Sequence, residues 1–184
     1  GQLAVGSAAS HAVSLMHMRQ SLCAAGYQEA INYSFVDRRQ LEAVHQAGFA
    51  LPLANPLSAE MDVMRTTLLP GLLASLAYNV RRQQARVRLF ETGLAYIQQE
   101  TLQEISRICG VATGSAWPEQ WAQPVRKLDF FDIKGDVERL IALRGDTPVS
   151  FTPFDGPWAH PGASACVAIE GKPIGWCGAV HPGV

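Results

Sequence analysis

Four arginines, Arg81, Arg82, Arg86 and Arg88, fall within eight residues of one another and form the one local concentration of positive charge in the chain. Guanidiniums grouped in this way grip phosphate or carboxylate oxygens, so the segment could contact RNA or an acidic partner. No long-range field assists them, because 15 basic residues face 16 acidic ones and the net charge is −1. The plainer role sets Arg81 and Arg82 in the last turn of a helix, where cations complement its dipole, and Arg86 and Arg88 on the strand that follows. The acidic group Asp129, Asp132 and Asp136 around Lys134 invites comparison with a cation site. It lacks the glycine and terminal glutamate of a calcium loop, and aspartates ahead of a helix cap its free amides. His160 and His181 each precede proline, which holds them extended at strand ends, and no neighbouring nucleophile or orienting acid marks them for catalysis. Glu91, in the run FETG, stands alone. Cys23, Cys109, Cys166 and Cys177 are scattered through apolar stretches without a Cys-x-x-Cys pair, the pattern of reduced thiols acting as small hydrophobes. No glycine-rich phosphate loop occurs anywhere.

The elements that carry these groups centre on Asn55 to Tyr96. Thr66 or Thr67 is placed to cap a helix, and Pro70 sits in its first turn, where a missing N–H costs little. Leu69, Leu72, Leu73, Leu76 and Val80 recur at spacings of three and four, which puts them on one helical stripe in need of a partner surface. A strand should follow from Val87 and end near Gly93. Upstream, the pattern predicts a helix from Ser10, as N-cap, to Gly26, as stop, then a strand over Tyr27–Val36 and a short helix Arg38–His45 capped by Asp37 and closed by Gly48. Downstream it predicts a strand over Glu104–Thr113, a surface loop over Ser115–Lys127 and a helix within Leu128–Leu143 capped by Asp132 and stopped at Gly145. Strands over Val149–Phe154, Ala163–Ile169 and Ile174–Val180 complete the chain, the last two joined in a hairpin through Glu170-Gly171-Lys172-Pro173. Hairpin strands mixed with helices, without a regular βαβ rhythm, argue for an α+β fold with a mostly antiparallel sheet flanked by helices.

Apolar residues make up 48% of the 184, enough for a sizeable core. No apolar run approaches bilayer length, and the opening GQLAVGSAASHAV lacks the features of a signal peptide, so a cytoplasmic location without membrane contact is expected. A start at Gly1 and an end at His181-Pro182-Gly183-Val184, just past a strand, suggest one domain cut from a longer polypeptide.

Five separate segments carry a resemblance. GYQEAINYSFVD at Gly26–Asp37, NPLSAEMDVMRTTLLPGLLASLAYNVRRQ at Asn55–Gln83, RLFETGLAY at Arg88–Tyr96, FFDIKGDVERLI at Phe130–Ile141, and HPGASA with GKPIGWCGAVHP between His160 and Pro182 resemble, in order and spacing, the bacterial phenylalanyl-tRNA synthetase beta chain. The resemblance covers nearly the whole chain, residues 1–184, and implies the catalytic-like core of that chain, with a class II synthetase fold. It further implies a ligase that joins phenylalanine to its transfer RNA with ATP and magnesium, built from two alpha and two beta chains, with catalysis in alpha. The beta core would pack against alpha, while editing, anticodon contact and the beta-chain magnesium site belong to beta domains outside this sequence.

The resemblance thus implies no catalytic, cofactor or metal residue in this chain. In the alpha chain the matching strand continues with a Gly-Arg-x-Tyr-Arg pattern that supplies an arginine to ATP; here it reads Gly93-Leu94-Ala95-Tyr96-Ile97. An apolar side chain at Ile97 offers nothing to the charge that develops on a phosphate. The expected subunit interface is the stripe Leu69, Leu72, Leu73, Leu76 and Val80, and the alternative is an RNA-binding module acting through Arg81, Arg82 and Arg86.

Overall fold

The computed structural model describes residues 13–56, 58, 60–122 and 124–181. The first helix, α1 (Leu15–Ala24), is capped by the Ser14 hydroxyl, which accepts from the His17 amide at 3.2 Å. Ser10, expected as its cap, lies outside the described residues. Gly26 stops the helix in the left-handed conformation, at φ +82°. The single strand expected over Tyr27–Val36 is two short ones, β1 (Gln28–Glu29) and β2 (Phe35–Val36), which join different sheets. The β1–β4 ladder closes where Ala30 N–H donates to Phe90 O, and beyond it Asn32 is held by the Glu91 carboxylate instead of by a partner strand.

Asp37 caps α2 (Arg38–Ala43), accepting from Arg39 N at 2.8 Å. That helix closes earlier than Gly48, at His45, which takes the left-handed conformation itself (φ 53°); a 3-10 turn, Ala47–Phe49, follows. Strand β3 (Val63–Met64) pairs antiparallel with β2. Helix α3 (Leu69–Arg81) begins with Pro70 in its first turn and ends with Arg81 in its last. Its cap position is Leu68. Thr67 Oγ1 accepts from Leu69 N at 3.4 Å, whereas the Thr66 hydroxyl donates away from the helix, to Gln46 O at 2.7 Å.

Strand β4 (Arg86–Gln98) does not stop near Gly93 but pairs antiparallel along its whole length with β5 (Leu102–Gly114), from Arg86↔Gly114 to Gln98↔Leu102. On its other edge β4 takes β1 in parallel, Gln28↔Leu89. After the loop of Ser115–Lys127 comes α4 (Phe130–Ala142), then an antiparallel sheet of β6 (Val149–Pro153), β7 (Ala159–Ile169) and β8 (Lys172–Val180). Glu170 and Gly171, both at positive φ, make the tight turn of the β7–β8 hairpin. The architecture is α+β, with antiparallel pairing throughout except at β1.

Alternation along β4 sets out the interior. Val87 and Leu89 face Leu68, at the cap position of α3, and Leu69 and Leu72 within that helix. Phe90, on the opposite face, meets Leu22 of α1 and Tyr27, with Leu140 of α4 alongside. The other side of α4, through Ile133, Val137 and Ile141, covers Ala165, Val167 and Ile169 of β7. Trp158, just before β7, and Trp176 of β8 reach back to the α3–β4 core.

Candidate functional site

Both faces of β4 carry buried charge, and each face uses it differently. On the α3 side, Glu91 and Arg65 form an ion pair, Nη1 to Oε1 at 2.6 Å, with side chains 3% and 6% exposed. A pair this deep persists only when its remaining polar atoms are also satisfied. The second Glu91 oxygen accepts from Asn32 Nδ2 at 2.7 Å, and Arg65 Nε donates to Leu94 O at 3.0 Å. Ser75 of α3 donates to Asn32 Oδ1 at 3.0 Å, so the network ties the helix to the sheet through the segment after β1. Gly93 has to be glycine here, since a Cβ would fall on the Arg65 guanidinium. Gly71 is likewise crowded by Asn32, whose Cβ would lie 2.9 Å from an added one.

On the opposite side Arg88 is buried with the Tyr27 ring 5.2 Å from its guanidinium. Its Nη1 donates to Asp136 of α4 at 2.9 Å and its Nη2 to Ala116 O at 3.0 Å. Tyr27 also donates to Asp136, at 2.8 Å, and burial together with that carboxylate pushes the phenol well above its ordinary value. Arg139 takes the second oxygen of Asp136 at 3.0 Å.

The arginine cluster is therefore not one exposed patch. Arg81 and Arg82 end α3 in solvent, Arg82 lying 3.7 Å over the ring of Tyr78. Arg86 turns to the other side of β4, half-buried beside Gly26, and Arg88 is locked in the interior. The leucine stripe is also divided. Leu69 and Leu72 close inward, Leu72 completely, while Leu73 and Leu76 are half-buried at the edge of the same core and Val80 is 45% exposed.

Asp132 does not cap α4; Asp129 does, accepting from Phe131 N at 2.8 Å and Asp132 N at 3.1 Å. Asp132 returns the bond to the Asp129 amide at 2.9 Å, completing a capping box. Arg126 bonds to it at 2.7 Å and holds its carboxyl at about 2. Among the described residues no three His, Cys, Asp or Glu side chains gather as a cation site. His160 lies inside β7, its Nδ1 2.8 Å from Pro161 O, and His181 follows β8. All four cysteines are unpaired; Cys23 is exposed, contrary to expectation, because α1 turns that side to solvent, and Cys109 is pushed up to about 12 by burial.

Sequence reasoning missed Arg65 and Asn32. The signal was present as two isolated opposite charges, Arg65 in VMRTTLL and Glu91 in RLFETG, each embedded among apolar residues where a charge needs a partner.

The family model described as the phenylalanyl tRNA synthetase beta chain CLM domain matches residues 2–184. Among curated relatives, the phenylalanine–tRNA ligase beta subunit of Pseudoalteromonas translucida is 45% identical in an alignment 177 residues long that covers 92% of this chain and 22% of that subunit. The beta subunit of Pseudomonas fluorescens (strain Pf0-1) is 46% identical over 170 residues (91% and 22%), and that of Nitrosococcus oceani 45% over 168 (90% and 21%). The chain thus spans about a fifth of the length of the relatives it matches. On the family match over almost its entire length, the chain belongs to the phenylalanyl-tRNA synthetase beta chain CLM domain family.

Proposed function

We propose that the chain is the catalytic-like core, a single domain of class II synthetase fold over residues 1–184, of a phenylalanine–tRNA ligase beta subunit. It does no chemistry itself. Its role is to support assembly with the catalytic alpha subunit, two of each per enzyme, for charging transfer RNA with phenylalanine using ATP and magnesium in the cytoplasm. The observation that carries this reading is the Arg65–Glu91 pair. The buried charges beside Gly93, Arg65 and Glu91, are spent on each other and on Asn32 and Leu94 O, and Leu94 and Ile97 follow where the resemblance places the alpha chain's arginines. Arg65, the buried guanidinium on that face, is thereby unavailable to a triphosphate; Arg107, opposite Gly93 on β5, is exposed there, and replacing it by alanine should leave pyrophosphate exchange at background.

With Leu69 and Leu72 inside, the surface offered to alpha is the outer part of the stripe, Leu73, Leu76 and Val80, next to the exposed Tyr78. Burial of Arg88 and half-burial of Arg86 favour this over RNA binding through Arg81, Arg82 and Arg86. Two measurements test the proposal. Pyrophosphate exchange with phenylalanine and ATP should stay at background for this chain alone, and a clear signal would overturn the non-catalytic role. Co-expressed with a phenylalanyl-tRNA synthetase alpha chain, it should co-purify, and Val80→Glu should weaken that at least tenfold; failure to co-purify would exclude the assembly role.

A further inference from the structure

The segment from Ala30 to Ser34, between β1 and β2, has polar backbone groups that alternate between paired and free. Ala30 N–H donates to Phe90 O at 2.7 Å, Asn32 N–H to the Glu91 carboxylate at 3.3 Å, and Ser34 O accepts from Arg65 N–H at 2.9 Å. Ile31 and Tyr33, set between them, have N–H and C=O groups that meet no partner among the described residues. Successive residues of a strand turn these groups to opposite edges, so the free ones line the side away from β4. β1 is an outer strand of its sheet, and this edge continues it.

The side chains of Ile31 and Tyr33 are 93% and 68% exposed. Apolar residues beside a bare backbone edge invite pairing, and sheets guard such edges with lysine, proline or a cover. No lysine or proline stands between Gln28 and Val36. The other outer strand, β5, is guarded, with Glu104 and Arg107 exposed along it. Helix α1 extends the apolar surface. Tyr27 N–H meets Leu22 O and Arg19 pairs with Glu29, so helix and strand run antiparallel side by side. One turn before Arg19, the exposed Leu15 and Met16 come level with Ile31 and Tyr33.

We infer that two copies of this chain pair through this edge, antiparallel about a two-fold axis at Asn32. Ile31 then lies opposite Tyr33 of the second copy, and such a pair exchanges both N–H···O bonds, which occupies every free group. The same register sets an aliphatic side chain against an aromatic ring on each side of the axis. Charge permits the contact, because residues 30–34 are uncharged and Glu29 is neutralised by Arg19, so like edges meet without repulsion. The two sheets become one continuous sheet, and assembly closes at the dimer because the same surface serves both copies. This pairing does not rest on the alpha-chain reading, since it needs only this chain.

Sedimentation velocity over a wide concentration range should show a reversible monomer–dimer equilibrium. Hydrogen exchange in concentrated against dilute samples should slow at the Ile31 and Tyr33 amides and not along β5. Tyr33→Pro deletes a free N–H without touching an internal bond, and Ile31→Lys/Tyr33→Lys changes exposed side chains alone; each should weaken dimerisation about tenfold or more. A chain monomeric at every concentration would overturn the pairing, as would a dimer that keeps its affinity in both variants or gains its protection along β5. Protection of Ile31 and Tyr33 that arises only with a co-expressed phenylalanyl-tRNA synthetase alpha chain would assign the edge to alpha and overturn the homodimer.

Discussion

Arg65 and Glu91 show how a charge pair in an apolar interior acts as architecture. Removing one member leaves the other buried and unpaired, which costs about 3–5 kcal/mol, whereas exchanging both for apolar residues of similar volume is often close to neutral. Arg65→Met should therefore lower unfolding free energy in urea by about that amount, and the Arg65→Met/Glu91→Leu double variant should recover most of the loss. A single-variant cost below about 1 kcal/mol would show that the pair contributes little to the fold. Asn32 and Ser75 complete the network, so part of the coupling energy will lie in them. Gly93 belongs to the same unit, because the ion pair occupies the space where its side chain would be.

At the scale of elements, the start of α4 is the most strongly charged junction, and its behaviour with pH follows from Asp132. That carboxyl titrates at about 2, below the ordinary 3.8, chiefly because Arg126 donates to it and then because the Asp129 amide does. A carboxyl depressed in the native state binds protons more readily when unfolded. Its stabilisation is complete above about pH 4 and is lost as pH falls through about 2. Thermal melts of Asp132→Asn should show lower stability at pH 5 and a flatter pH profile between 4 and 2; a profile parallel to the unmutated chain would remove Asp132 as the cause. This junction also shows what the sequence could convey. The helix, its leucine-like periodicity and its stop at Gly145 were legible, but assigning the cap to Asp132 rather than Asp129 was a matter of three residues that periodicity does not resolve. The β7–β8 hairpin was legible because Glu170-Gly171 demands a tight turn. The break between β1 and β2 was not, since Asn32 leaves the ladder for a carboxylate 59 positions away, and alternation carries no record of such a contact. The same holds for the arginines, whose spacing located them but not the side of β4 each one takes.

For the whole molecule, the question is what makes the sheet of β1, β4 and β5 and the sheet of β6–β8 one structure. Helix α4 lies between them, giving Leu140 to the first core and Ile133, Val137 and Ile141 to the second. Asp136 adds a polar clamp on the side of α4 toward the first sheet, receiving Arg88 of β4 and Tyr27 beside β1. Because Arg88 and Asp136 are 6% and 11% exposed, this contact is shielded from solvent screening, unlike that of Arg139, which is 56% exposed. Asp136→Asn should accordingly cost about 3–5 kcal/mol by leaving Arg88 buried without a carboxylate, while Arg139→Ala should cost about 0–1 kcal/mol. Hydrogen exchange separates a local loss from a loss of coupling. In the unmutated chain, the central amides of β4 and of β7 should share one global opening free energy; in Asp136→Asn, β7 should open at lower free energy than β4. If both sheets lose protection equally, the apolar seam of Trp158 and Trp176 against the α3–β4 core is sufficient to hold them together, and the clamp contributes stability without cooperativity.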